Sequence, residues 1–234
     1  MKYKLSILFF IALSLETFAQ TFYDLNTIQT IEITFSQSNW DALLDAAEAN
    51  DAYIPAQSVS INGTVLTNIG VKYKGNSSYN ANQVKNPIHI ELDAYVDQNY
   101  QGYTDIKLSN VYKDPSFVRE ALAYKMLKNY MHAPLANYAK LYINGSYIGL
   151  YTNVESVSKK FVNSHFGSNS NAFFDCSPPA GVGPGVTNLP NLSYLGTNST
   201  SYESAYEMKS TTGWDDLIAL TNTLNNNTNN IETV

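Results

Sequence analysis

Two lysines, a glycine and a run of small polar residues stand together in Lys72-Tyr73-Lys74-Gly75-Asn76-Ser77-Ser78. The segment ends an alternating apolar stretch. A turn of this composition can present backbone N–H groups and ammonium groups to a phosphate, or it can be an ordinary solvated strand end. Lys85 leads into the next alternating run. Glu120 lies in the clearest helical pattern of the chain, yet its neighbours three and four positions away are Ser116, Phe117, Ala123 and Tyr124. With no local cation to pair with, it either faces solvent or reaches a lysine elsewhere, and Lys85 is the natural candidate. Other chemistries are set aside. His89, His132 and His165 lack the close spacing of a zinc motif. Cys176 has no base beside it, and no Gly-x-Ser-x-Gly elbow occurs. Gly181 to Gly185 includes a proline, follows no strand and opens no helix, so a flexible loop is a better reading than a phosphate loop.

These residues need a scaffold, and the periodicities supply one. Thr30 to Phe35 alternates as a strand. Ser38-Asn39-Trp40-Asp41 resembles a capping box opening a short helix. Asn62-Gly63 and Asn144-Gly145 are hairpin turns, the first joining Gln57–Ile61 to Thr64–Tyr73, the second Tyr138–Ile143 to Tyr147–Val154. Pro87 to Leu92 reads as a further strand. Asp114 as cap and Pro115 as first residue start a long helix, with Phe117, Val118, Ala121, Leu122, Met126 and Leu127 as its buried stripe. A helix is predicted over Val157–Phe166, a long loop over Ser168–Ser201, and a final helix from Trp214. Short turns with irregularly placed helices predict an α+β domain.

Residues 1 to 19 carry Lys2 and Lys4, an apolar run from Leu5 to Leu15, and Thr17-Phe18-Ala19. This is the secretory pattern, with cleavage expected after Ala19. The apolar run is too short to span a bilayer, which needs about 20 residues. The expected mature chain, residues 20–234, is therefore exported to the periplasm, cell surface or medium, with no membrane span. The whole chain carries a net charge of −6 with only 14 Lys and Arg, which offers no footprint for nucleic acid. A single cysteine makes no internal disulfide, so the fold rests on its core.

The chain resembles the spore coat protein H (CotH) kinase-like family. The resemblance rests on Gly70 to Ser78, Lys85, Lys107-Leu108-Ser109-Asn110, Asp114-Pro115-Ser116 and Arg119-Glu120. Its densest stretch is Leu141 to Tyr151, followed by Val154-Glu155, and it continues through Tyr202–Lys209 and the Trp214 helix. It implies an atypical protein-kinase-like fold, mainly its small lobe, with an antiparallel sheet and a long helix. It also implies an exported phosphotransferase that uses ATP with Mg²⁺ or Mn²⁺ on the hydroxyls of a protein substrate. In that mapping Lys72, Lys74, Gly75, Asn76, Ser77 and Ser78 cover the nucleotide phosphates. Lys85 is the lysine that holds them, Glu120 its helical partner, and Glu155 lies at the hinge where adenine docks. The family's acidic metal motif is not found here, since Trp214-Asp215-Asp216 opens a helix in another place. The expectation is an amino-terminal portion that grips nucleotide without completing catalysis. The alternatives are a non-catalytic adhesion or coat-assembly module and, on aromatic content alone, a carbohydrate-binding domain.

Overall fold

A computed structural model describes residues 21–75, 77–176 and 189–226. The predicted leader, Asn76 and the Gly181 to Gly185 segment lie outside the described residues. Seven strands make the main body: β1 (Ile28–Thr34), β2 (Ile54–Ile61), β3 (Thr64–Tyr73), β4 (Ile88–Glu91), β5 (Asp105–Ser109), β6 (Ala136–Ile143) and β7 (Ser146–Val154). Around the sheet they run β1-β2-β3-β4-β5-β7-β6, and β6 returns to β1 to close a barrel. Every joint is antiparallel except β1–β6, which is parallel. The exception follows from parity: strands that alternate in direction around a ring of seven cannot close without one parallel neighbour.

The inward positions follow the alternation visible in the sequence. Ile31 lies opposite Ile61 on one side and Leu141 on the other. Val71 faces Ile90, and Ile90 faces Ile106. All are fully buried and belong to one core. Burial of each such side chain contributes about 1.5–3 kcal/mol. Both hairpin turns have positive φ at each residue, 51° and 89° at Asn62 and Gly63 and 48° and 78° at Asn144 and Gly145. That is the requirement that Asn-Gly meets. One end of the barrel is covered by the segment before β1. The buried Asn137 amide donates to the carbonyls of Phe22 (2.9 Å) and Asp24 (3.0 Å), while Asn153 Nδ2 donates to Asn137 Oδ1 at 2.9 Å.

The described residues also form four α-helices: α1 (Trp40–Glu48) and α2 (Arg119–Leu127), which pack on the barrel, α3 (Lys159–Phe166) and α4 (Trp214–Asn226). A small two-stranded sheet of β8 (Phe174–Asp175) and β9 (Glu207–Met208) lies within the carboxyl-terminal segment, where Tyr202, Ala205, Tyr206 and Leu217 form a separate minor core.

The fold class expected from the sequence is corrected on two points. The described residues are mostly sheet closed into a seven-stranded barrel, not the α+β arrangement of a kinase small lobe that was expected. The long helix is also absent, because α2 has nine residues and begins at Arg119. Phe117 has φ 62°, which breaks the helix that Pro115 was expected to start. Asp114 still organises the start by accepting the N–H groups of Ser116 (3.1 Å) and Arg119 (2.9 Å). The predicted buried stripe fails too: Val118, Leu122, Met126 and Leu127 are exposed, and Ala121 alone is buried in α2. The capping box before α1 is not formed, since the Asn39 side chain makes no capping bond.

Candidate functional site

Two adjoining cavities open where β3, β5, α2 and the end of β7 meet. β5 alternates Ile106 and Leu108 inward, which turns Lys107 and Ser109 outward onto one surface. Lys74 follows β3 directly, and Glu120 projects from the first turn of α2. The larger cavity, about 710 Å³, is lined by these four groups, by Val154 to Lys159 beyond β7, and by Phe173, Asp175 and Lys209 across from them. The second, about 450 Å³, shares Lys74, Ser109 and Glu120 and adds Ser78, Asn110, Lys113 and Arg119.

Charge is concentrated here. Of the 14 Lys and Arg residues, Lys2 and Lys4 lie outside the described residues. Six of the remaining twelve line the two cavities: Lys74, Lys107, Lys113, Arg119, Lys159 and Lys209. Glu120, Asp114, Glu155 and Asp175 share these linings, and Lys107, Arg119 and Lys209 each stand near an acid, so the excess of positive charge is small. Burial pushes the Lys74 ammonium below its ordinary value, the charge of Lys107 pushes the same way, and Glu120 only partly opposes them. Burial raises the Glu120 carboxyl despite the Ser109 hydroxyl, which donates to Glu120 Oε1 at 3.1 Å, and despite the nearby Lys74. Lys74 makes no ion pair within 4 Å among the described residues. Lys74 thus lies within the field of Lys107 and of Glu120, while Lys107 itself stands 3.9 Å from the Asp105 carboxylate.

The other sequence-predicted residues are placed as follows. Lys72 turns away from both cavities, pairing with Asp51 at 2.6 Å and lying 4.6 Å above the Tyr53 ring. Gly75 has φ 95°, and a side chain there would collide with Ser78 Oγ, so the turn after Lys74 needs glycine. Ser77 is exposed, and Ser78 lines the second cavity, its carbonyl accepting from Asn110 Nδ2 at 3.0 Å. Lys85 lines neither cavity. Its stem crosses Gly149, and its ammonium lies 5.0 Å from the Phe117 ring centroid and 5.4 Å from that of Tyr151. Lys85 and Glu120 form no ion pair; the cation whose field reaches Glu120 is Lys74. Glu155 is buried with its carboxylate accepting the Leu135 N–H at 3.0 Å, and its own N–H donates to the Leu135 carbonyl at 2.8 Å. Both groups are therefore spent on fixing the segment after β7. Ser156 and Val157, which follow it, line the larger cavity beside Glu155.

Sequence reasoning quoted Lys107 and Ser109 but gave them no role, and it passed over β5. The signal was the alternation of Asp105-Ile106-Lys107-Leu108-Ser109, short enough to be hidden between loops. Lys107 is further tied to the segment after β7 through Asp105. Burial pushes Asp105 up, but hydrogen bonds from His89 and Ser156 and the charges of His89 and Lys107 outweigh it and hold it below the usual range. His89 Nε2 lies 3.2 Å from Glu91 and 3.3 Å from Asp105, Tyr53 Oη donates to Glu91 at 3.0 Å, and the Ser156 hydroxyl donates to Asp105. The outer faces of β4 and β5 thereby hold Ser156 at the edge of the larger cavity.

Residues 71–234 match the family model described as CotH kinase protein. No curated protein matches the chain.

Proposed function

We propose, from the premise that this chain belongs to the CotH kinase protein family, that the joined cavities grip ATP for phosphoryl transfer to the hydroxyls of an exported protein. The observation that carries this reading is the pair of Lys74 and Lys107. An anion beside Lys74 offsets the repulsion from Lys107 and restores the favourable environment that burial took from the Lys74 ammonium. Phosphates meet that need. Tyr124, Pro134, Val157 and Phe173 form an apolar end suited to a flat base, and Ser156 and Val157 supply backbone groups beside it. The phosphate-holding role thus goes to Lys74 and Lys107, with Ser78 and the Gly75 turn flanking them. Glu120 holds Ser109 and balances the charge of Lys74.

Nucleotide phosphates fit this set of residues, whereas a resident metal does not. Among the described residues no group of three or more His, Cys, Asp or Glu is arranged to hold one. Mg²⁺ or Mn²⁺ is therefore proposed to arrive with the nucleotide, and its chemistry would be to bridge and neutralise phosphate oxygens. The chain's own residues bind and orient the phosphates and shield the base. Export follows from the leader pattern at residues 1–19. Among the described residues no helix is long and apolar enough to cross a membrane.

The test is calorimetric titration with ATP, with and without Mg²⁺ or Mn²⁺, followed by labelled phosphate transfer to a serine-rich acceptor protein. Binding that is lost on Lys107→Ala supports the reading. A chain that binds no nucleotide under either condition refutes it and leaves coat assembly or adhesion without catalysis as the function.

A further inference from the structure

The register of β3, β4 and β5 sets two cross-strand rows on the outer wall of the barrel. Lys72, His89 and Lys107 are neighbours in one, and Gly70, Glu91 and Asp105 in the next. Tyr53 roofs them. Its ring packs over Gly70, where a side chain would crowd it, and meets the His89 ring edge-on at 5.6 Å.

His89 Nε2 lies 3.2 Å from Glu91 Oε2 and 3.3 Å from Asp105 Oδ2, standing between the two oxygens rather than in line with either. Its hold on both is therefore chiefly ionic and depends on the second proton of the ring. Nδ1 is 3.2 Å from Tyr53 Oη, whose hydrogen goes to Glu91. A hydroxyl already donating to Glu91 offers Nδ1 only lone pairs, which suits a ring with both nitrogens protonated.

Three groups meet at Asp105 Oδ2. His89 is 3.3 Å away, the Ser156 hydroxyl donates to it, and Lys107 Nζ stands off at 3.9 Å. A direct ammonium–carboxylate hydrogen bond spans about 2.7–2.9 Å, so Lys107 is beside Asp105 without being bonded to it. His89 and Asp105 line neither cavity, whereas Lys107 and Ser156 line the larger one. With the charge of His89 removed, Glu91 and Asp105 would be like charges directly opposite one another, a destabilising pair. Asp93, bonded to Glu91, gives no relief, since its carboxyl is already pushed up to about 6 by burial and by Glu91. Lys72 is paired with Asp51 at 2.6 Å. Lys107 is the remaining cation of the two rows.

We propose that His89 is a positioning residue whose charge sets the grip of the larger cavity on phosphate. The charged ring holds Asp105 together with Ser156 and leaves Lys107 to the anion; the neutral ring releases Asp105 to Lys107. This rests on the reading of the cavities as a phosphate site and adds a proton outside the lining that regulates it. The anion-bound form keeps the His89 proton. Affinity is therefore highest where the ring is charged and falls as pH rises through its titration, with proton uptake on binding.

Two measurements on the full chain test this. In the first, without nucleotide, NMR follows the His89 ring and the Lys107 Cε resonance between about pH 5.5 and 8.5, the range in which imidazole ordinarily changes charge. The Lys107 resonance is expected to shift along the His89 curve, and to stop doing so in Asp105→Asn. In the second, calorimetry with tripolyphosphate compares the wild type, His89→Gln, and His89→Gln with Asp105→Asn. The single variant should bind about tenfold more weakly at the acid end, the order of one coupling between sites, and equally at the alkaline end. The double variant should regain the acid-end affinity, because nothing then competes for Lys107. The protons of the ligand and of Lys74 are common to all three chains and cancel in the comparison. A Lys107 resonance that ignores His89 overturns the proposal, and needs no His89 variant to be seen. So does a His89→Gln deficit that persists at alkaline pH, or one that Asp105→Asn does not relieve. If the two curves coincide but no chain binds tripolyphosphate at any pH, the coupling stands and the phosphate reading of the cavities falls.

Discussion

Replacing one lysine at a time separates the cavity from its surroundings. Lys107→Ala and Lys74→Ala each remove a charged donor from the phosphate end of the cavities. A hydrogen bond to a charged group contributes about 1.5–3 kcal/mol, and each 1.4 kcal/mol is about tenfold in affinity, so either substitution should weaken ATP binding by about 10- to 150-fold. Lys85→Ala acts elsewhere. Its ammonium lies over Phe117 and Tyr151, outside the lining of both cavities. Loss of those contacts should lower stability by about 0.5–2 kcal/mol and leave ATP affinity within about threefold, since no phosphate contact is removed. The assay is calorimetry with ATP and with tripolyphosphate on all three variants, beside urea unfolding of each. Tripolyphosphate isolates the phosphate end, because it has no base to occupy the apolar side. If Lys85→Ala abolishes binding while Lys107→Ala leaves it intact, the assignment drawn from the geometry is wrong and Lys85 regains the role that the family resemblance implied.

Three further outcomes follow from particular residues. Because burial and Lys107 hold Lys74 below its ordinary value, triphosphate binding should raise it back toward that value. Affinity should then fall as pH rises through that lowered value, with proton uptake seen in buffers of different ionisation enthalpy, and Lys74→Arg should flatten the profile because guanidinium stays charged. Gly145 has φ 78° with open space where a side chain would go, so Gly145→Val should cost about 1–3 kcal/mol from the backbone alone, read from equilibrium unfolding. Glu155→Gln weakens the charge-assisted bond to the Leu135 N–H; it should cost about 1 kcal/mol of stability while ATP affinity changes little, in the same two assays.

What was legible in the sequence was local. Asn-Gly at two places announced both hairpins because few other pairs accept positive φ twice in succession. Strand alternation located β1, β2, β3, β6 and β7 to within a few residues. Glu120 and Lys74, both singled out in the sequence, lie in the lining of the same cavities. What escaped is what depends on pairing at long range. Nothing in Ile28–Thr34 says that it will lie parallel to Ala136–Ile143, more than 100 residues away, yet that joint alone converts an open sheet into a barrel.

The same joint bears on why Lys85 and Glu120 do not pair. An open sheet leaves both faces available, and Lys85, at the start of β4, is then as good a partner for Glu120 as any other lysine. Closure assigns each strand position to the inside or the outside. Ile106 and Leu108 go in, so Lys107 and Ser109 must come out, on the side where α2 packs against β6 and β7. Lys85 precedes β4 and is drawn across Gly149 of β7, where the missing side chain leaves room for its stem and the rings of Phe117 and Tyr151 receive its charge. The partner of Glu120 is therefore decided by which residues the barrel turns outward. A helical carboxylate whose own neighbours are Ser116, Phe117, Ala123 and Tyr124 can find that partner only after the ring has closed.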